Sequence, residues 1–442
     1  MKKLFAVWIT KALILLGKIM GKKGSSTPGI YALKICPDIL KILAGQIKDK
    51  IIVVCGTNGK TTTNNILNSM ISSSGKNVVC NNVGANMLPG VVTAFVDHCN
   101  IFGRFDADYA CIEIDEISTV RVFEHFHPDY MIITNLFRDQ LDRYGEIDIT
   151  LSYLEKAIKM CPDTELVLNG DDPLVAAFGI KTGRKCHYFG VGQNVGIALN
   201  ETKEGRFCMF CGNELEYEYY HYSQLGKYKC PECGFERPAV EFEAVNVNLD
   251  NGIEFYVNGI FFSVKYRGFY NIYNILAAYS AVSLTGVNVR DINGILGDYK
   301  PQIGRMEEFT IRGKQVIFNL SKNPAGFNQA ISTVMGDKRK KNVVTVINDG
   351  AQDGKDISWI WDVDFERFKD VGGNKFYVSG IRHNDVAVRF KYAEIENVSD
   401  IADVKNAILK GIEEDSDVLY VLVNYTALFS TQNILKSLEG EK

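Results

Sequence analysis

Residues 51–63 read Ile51-Ile52-Val53-Val54-Cys55-Gly56-Thr57-Asn58-Gly59-Lys60-Thr61-Thr62-Thr63, and this stretch decides the fold. Five apolar residues in a row have the length and β-branched content of a buried strand. Two glycines then punctuate a tight loop, and the threonine run opens a helical pattern that continues to Ser73. Strand, glycine-rich loop and helix form the setting in which a phosphate-binding loop works. The glycines let backbone N–H groups turn toward a polyphosphate, and the helix N-terminus adds a favourable dipole. Lys60 suits the β- and γ-phosphates of ATP, and the hydroxyl of Thr61 or Thr62 suits a magnesium ion. The candidate nucleotide set is therefore Gly56, Thr57, Asn58, Gly59, Lys60, Thr61 and Thr62. The spacing is shorter than the general form because Val54 stands where a first glycine would.

Outward from the loop, short apolar runs at 78–80, 109–114 and 130–136 alternate with helical stretches, which predicts a parallel sheet with crossover helices. Runs at 165–169 and 185–190 extend it. The run at 109–114 ends in acids: Glu113, Asp115 and Glu116. Ligands gather at the carboxyl ends of strands in open parallel sheets, so these acids belong beside the loop, with Glu113 the first choice for magnesium. Beyond a linker at 298–301, apolar runs at 342–349, 376–380 and 418–425 alternate with helical stretches and predict a second, smaller α/β unit. The expected division is a basic helical segment at 1–49, a central parallel-sheet ATPase unit at 50–300 with an insertion at 200–240, and a Rossmann-like α/β unit at 301–442.

A chain of 442 residues with 46% hydrophobic and 23% charged residues is a multi-domain globular protein. Its net charge of −4 gives no basic face for nucleic acid. Several of the 11 cysteines sit singly inside apolar runs, Cys55 and Cys111 among them, which fits a reducing cytoplasmic compartment. No acid precedes Asp38, while Lys2, Lys3, Lys11, Lys18, Lys22 and Lys23 are present. Lysines interrupt the apolar centre, which excludes a signal peptide and a membrane span. Two readings remain: a helix lying on a membrane surface, or one packed on the next domain with its lysines solvated.

Within the insertion, Cys208-x-x-Cys211 and Cys230-x-x-Cys233 stand 18 residues apart, the spacing of a structural zinc ribbon. Four thiolates close a tetrahedral site and leave no open position for catalysis.

These motifs together resemble the Mur ligases and the related folylpolyglutamate synthetases. The phosphate loop and the acidic strand end carry the resemblance, with residues 135–144, Gly268-Phe269-Tyr270-Asn271 followed by Asn274, Ala277 and Ala278, Gly304-Arg305-Met306-Glu307, and Asn323-Pro324-Ala325, in the family's order. The resemblance implies an ATP-dependent carbon–nitrogen ligase that activates a carboxylate as an acyl phosphate. It also implies that Asn271 contacts the adenine, that Arg305 reaches the ATP phosphates from the hinge side and that Lys322 approaches the transferred phosphate. Two departures are Gln140, where the family has a second-metal His, and Tyr270, where its adenine motif has a His. Only 55 residues precede Gly56, so a separate domain gripping a UDP-sugar is not expected.

The cysteine ribbon, the Asn82, Gly84, Ala85, Asn86 and Met87 segment and the stretch 353–362 narrow the resemblance to the ligase subunits of lipid II isoglutaminyl synthases. That implies amidation of the D-glutamate α-carboxylate of lipid II in peptidoglycan synthesis. None of the cysteines here sits in the G-x-C-x-G turn a glutaminase nucleophile needs, so the ammonia is expected from a separate subunit, which the resemblance implies is the glutaminase GatD. By the same resemblance Asp356 completes the partner's Cys-His pair; the alternative is that Asp356 caps the helix beginning near Ser358. Rival functions are a ligase adding a whole amino acid, and a non-catalytic ATP-binding scaffold.

Overall fold

The structure, a computed structural model, describes residues 1–20, 26–81, 85–137, 147–196, 205–250, 252–265, 268–298, 304–350, 356–370 and 374–440. Asn82, Gly84, Gln140, Lys22, Lys23, Pro301 and residues 353–355 lie outside them.

The expected strands form. They are β1 Lys50–Cys55, β2 Val78–Cys80, β3 Tyr109–Glu113, β4 Tyr130–Ile133, β5 Glu165–Asn169 and β6 Cys186–Val191. The insertion adds a hairpin, β7 Glu216–Tyr222 and β8 Leu225–Lys229, and the chain continues with β9 Phe242–Asn248, β10 Ile253–Val257 and β11 Ile260–Val264. Among the described residues the large sheet has nine strands in the order β11-β10-β9-β6-β5-β4-β1-β3-β2. Strand β1 is central because both its faces are apolar: Ile51, Val53 and Cys55 enter one core cluster, Ile52 and Val54 the other. Each such side chain contributes roughly 1.5–3 kcal/mol when fully buried. It pairs in parallel with β3 and β4, and the connections leave to either side of it. That is a switch point, where a crevice opens at the strand ends. The register sets Glu113 opposite Val54, two residues before the loop.

The antiparallel edge β9-β10-β11 was not expected from the sequence; β9 is buried at Phe242 and Ala244 and runs out to exposed positions at Asn246 and Asn248. Six further strands, β12 Glu307–Ile311, β13 Lys314–Leu320, β14 Lys341–Val346, β15 Phe376–Ser379, β16 Val398–Asp400 and β17 Val418–Val423, make a second sheet in the order β12-β13-β17-β14-β15-β16. All its pairings except β12–β13 are parallel.

The helix Lys2–Ile19 buries Ala6, Val7 and Thr10 and packs on the helices Thr27–Ile35 and Leu88–His98. Lys11 Nζ donates to the Asp97 carbonyl and Lys18 lies 3.6 Å from the Asp97 carboxylate. The helix is thus packed, but its outermost face is not a solvated lysine face: it carries Phe5, Trp8, Leu15 and Ile19, all exposed. Among the described residues no helix is long and apolar enough to cross a membrane.

Candidate active site

The loop leaves the carboxyl end of β1 in a shape only glycine permits at two points. Gly56 has φ +119°, and a Cβ there would lie 2.3 Å from Thr134 Oγ1. Gly59 has φ +84°, and its Cβ would lie 2.1 Å from Asn274 Oδ1. Between them the end of β4 holds the loop. The Asn58 N–H donates to Asn135 Oδ1 at 2.9 Å, and Thr134 Oγ1 donates to the Asn58 carbonyl at 2.8 Å. Thr57 is held by the backbone of Phe137, accepting from its N–H at 3.0 Å and donating to its carbonyl at 3.1 Å.

Lys60 is the first residue of the helix Lys60–Ser73 and is buried. Its Nζ sits 2.5 Å from the Gly56 carbonyl and 2.9 Å from Glu116 Oε1, which also accepts the Gly56 N–H at 2.9 Å. Burial pushes the Glu116 carboxyl up, and the Lys60 ammonium offsets part of that rise. The loop thus directs its cation at an internal carboxylate. Glu116 was read from the sequence as one of three acids at a strand end; its pairing with Lys60 was not foreseen.

Glu113 is buried and held by two asparagines. Asn81 bonds both its backbone groups, and Asn86 Nδ2 donates to its Oε1 at 2.9 Å. Its other oxygen, Oε2, is buried with no hydrogen-bond partner among the described residues. A buried carboxylate oxygen left unsatisfied costs about 1–3 kcal/mol or more, and a hard divalent cation satisfies one. The orphaned Glu113 oxygen therefore fits a magnesium ligand, and Thr61 offers a half-buried hydroxyl in the first turn of the loop helix. Thr62 lies beside Thr61, also half-buried.

Asn271 lies in the first turn of the helix Tyr270–Thr285, buried, with its Oδ1 accepting from Asn274 Nδ2 at 3.1 Å. Since Asn274 also faces Gly59, this helix end abuts the phosphate loop. Arg305 is half-buried in the turn before β12, and Lys322 is half-buried between β13 and the helix Pro324–Gly336. The residue after Lys322 joins the two units: Asn323 Nδ2 donates to Asn58 Oδ1 at 3.2 Å, and Asn58 Nδ2 faces Asn323 Oδ1 at 3.4 Å. That amide pair could not be read from the sequence, because nothing local marks two residues 265 positions apart as partners. Asp356 is exposed, and its Oδ1 accepts the Ser358 N–H at 2.8 Å. The helix it precedes, Ser358–Asp362, is a 3-10 turn.

The four cysteines converge. The sulfurs of Cys208, Cys211, Cys230 and Cys233 all lie within 4.8 Å of one another, with Cys208–Cys233 at 3.5 Å and Cys211–Cys230 at 3.4 Å. Two similar knuckles present them, Gly212 N–H to Cys208 O and Gly234 N–H to Cys230 O. The cluster fits zinc. The hairpin it anchors reaches the end of β4: Gln224 Nε2 donates to the Leu136 carbonyl at 2.5 Å, and the Tyr222 ring lies 5.7 Å from that of Phe137. Phe137 in turn holds Thr57. Removal of metal by a chelator, or Cys230→Ser, is expected to lower the unfolding midpoint by about 5–10 °C, since the site organises its own segment. A thermal melt with zinc quantitation checks this, and an unchanged midpoint in zinc-free protein would sink it.

A phosphate loop on a parallel sheet, an acidic strand end beside it and a second parallel-sheet unit joined at Asn58–Asn323 define a ligase of the Mur type. Residues 54–231 match the Mur ligase middle domain, and residues 320–428 match the MurT ligase C-terminal domain. The chain has the fold of a pseudomurein peptide ligase type C from Methanothermus fervidus (TM-score 0.72, 23% identity, 94% of this chain and 86% of that one). It likewise resembles MurF ligase from Thermotoga maritima in complex with ADP (TM-score 0.64, 15% identity, 93% and 84%). The chain is 34% identical over 442 residues to the lipid II isoglutaminyl synthase (glutamine-hydrolyzing) subunit MurT of Staphylococcus aureus strain COL, covering 100% of this chain and 99% of that one. It is 34% identical over 422 residues to the subunit of the same name from Streptococcus pneumoniae, covering 94% and 93%. The chain belongs to the MurT family.

Proposed function

We propose that this chain is the ligase subunit of a lipid II isoglutaminyl synthase, an ATP-dependent carbon–nitrogen ligase that converts the D-glutamate of lipid II to D-isoglutamine. The observation that carries the reading is the full-length match to relatives of that name, with the phosphate loop, the acidic strand end and the cysteine ribbon all in place. In the first step an oxygen of the α-carboxylate attacks the γ-phosphorus of ATP and ADP leaves. In the second the nitrogen of ammonia attacks the acyl carbon, inorganic phosphate leaves with the bonding electrons, and the nitrogen sheds a proton.

Chemistry of this kind is mostly positioning and charge neutralisation. Lys60, released from Glu116, would meet the β- and γ-phosphates, with the N–H groups of the loop from Gly56 to Thr62 around them. Asn271 would contact the adenine, and Arg305 and Lys322 would approach the phosphates from the hinge and from the C-terminal unit. Magnesium, held by Glu113 and Thr61, would neutralise charge on the transferring phosphoryl group. Zinc on Cys208, Cys211, Cys230 and Cys233 would hold the hairpin against the end of β4. The working division is 1–49, 50–300 with the insertion at 200–240, and 301–442.

Ammonia would come from a partner glutaminase, GatD, with Asp356 reaching its active site. The seven cysteines outside the ribbon, six buried and Cys186 half-buried, are single thiols, which fits a cytoplasmic location, next to the inner face of the membrane where the substrate resides. The deciding experiment incubates the chain and its glutaminase with lipid II, ATP and glutamine and follows product mass. A product lighter by the difference between hydroxyl and amino groups, formed only with ATP, supports amidation. Addition of a whole amino acid, or no turnover, would overturn it.

A further inference from the structure

We infer that the helix Lys2–Ile19 and the loop beside it form a docking surface for an anionic lipid bilayer. The helix has two faces. Ala6, Val7 and Thr10 pack inward, while Phe5, Trp8, Leu15 and Ile19 follow one another at three-, four- and seven-residue steps on the outside. At 56%, 52%, 60% and 73% exposure they form a continuous apolar stripe, with Leu16 and Met20 widening its end. A second segment extends it: Trp8 Nε1 donates to the Ile101 carbonyl at 2.8 Å, which brings Ile101 and Phe102, 57% and 61% exposed, alongside. Isolated exposed apolar residues need no explanation, but a contiguous patch of this size marks an interaction surface.

Charge selects the occupant. Lys2 and Lys18 are exposed on the helix and Lys11 is half-buried, Lys3 lies against Gly103 in the neighbouring loop, Arg104 is exposed two residues beyond Phe102, and no acid precedes Asp38 in the sequence. Among the described residues, the carboxylate paired with a lysine of the helix is that of Asp97, which faces Lys18. A second copy of the chain meeting this face about a two-fold axis would bring like charges together, whereas an anionic headgroup layer neutralises the basic rim and takes the apolar side chains. The helix lies on the bilayer rather than crossing it. This deepens the proposed function, resting on that reading for its purpose, since a lipid-linked substrate is best met by an enzyme held at the same surface.

The test is co-sedimentation of the full chain, with its glutaminase, on vesicles of phosphatidylcholine with and without phosphatidylglycerol. The triple variant F5S/L15S/I19S changes only exposed side chains and leaves the Trp8–Ile101 bond in place. Wild type is expected to sediment with the anionic vesicles, less so as salt rises, and the triple variant to bind about tenfold more weakly or worse. On vesicle-borne lipid II the variant should show a raised KM at unchanged kcat, while turnover of a detergent-dispersed substrate stays at the wild-type level. Equal sedimentation of variant and wild type overturns the inference. So does loss of a dimer, or of the glutaminase complex, with vesicle binding intact. If the enzyme amidates no substrate yet wild type binds vesicles and the variant does not, the functional reading fails and the docking surface stands.

Discussion

Lys60→Ala is expected to reduce kcat for amide synthesis by about 10²–10³-fold or more, the loss that follows removal of a single preorganised charge partner from a transition state. The arrangement around Lys60 makes the experiment sharper than a simple knockout. Its ammonium is bonded to Glu116, and both side chains are buried. Removing one partner of a buried pair costs about 3–5 kcal/mol because it strands the other charge. Lys60→Ala should therefore also lower the unfolding midpoint of the nucleotide-free protein. The double variant K60A/E116Q removes the stranded carboxylate while keeping an oxygen for the Gly56 N–H. It is expected to recover most of the lost stability and none of the lost turnover. Thermal melts and steady-state rates on the same preparations separate the two effects. A Lys60→Ala enzyme within tenfold of wild type, or a double variant that regains turnover with stability, would remove Lys60 from the chemistry.

How much of this could be read from the chain follows from the range of each signal. The phosphate loop was legible because its information is local: an apolar strand, two glycines with positive φ, a lysine and a helix start all fall within residues 51–63. The cysteine cluster was legible because each pair is built on a three-residue step. Glu113 could be assigned to the loop because parallel sheets gather ligands at strand ends, and the register opposite Val54 agrees. The props of the loop were not legible. Thr134, Asn135 and Phe137 act through the register of β4 on β1, and Asn323 acts across two units. The same holds for Gln224, whose bond to Leu136 depends on how the ribbon docks. The antiparallel edge β9–β11 escaped because short alternating strands near an insertion carry little periodicity. In the N-terminal helix the lysines were conspicuous, yet only the packing of Ala6, Val7 and Thr10 reveals that the apolar stripe faces outward.

Asp356→Asn is expected to separate the two chemistries of the complex, lowering glutamine-dependent amidation by about 10³–10⁴-fold while leaving ammonium-supported amidation near the wild-type rate. The magnitude is that of neutralising the acid of a catalytic triad, where the histidine loses the partner that sets its tautomer and stabilises its charged form. Asparagine is the informative replacement because of what Asp356 does locally. Its Oδ1 accepts the Ser358 N–H at 2.8 Å at the start of the 3-10 turn Ser358–Asp362, and an asparagine Oδ1 can accept the same bond. The turn is thus preserved and only the charge is lost. If the side chain serves the turn alone, Asp356→Asn leaves both rates unchanged, and Asp356→Ala lowers both together through about 1 kcal/mol of lost local stability. If the carboxylate completes a partner's Cys-His pair, Asp356→Asn and Asp356→Ala fail alike with glutamine and succeed alike with ammonium. The ammonium arm also reports on the ATP site by itself, because the acyl phosphate formation proposed beside Lys60 and Glu113 would require no glutaminase. Parallel loss in both arms would therefore place Asp356 with the fold of this chain and not with the partner's chemistry.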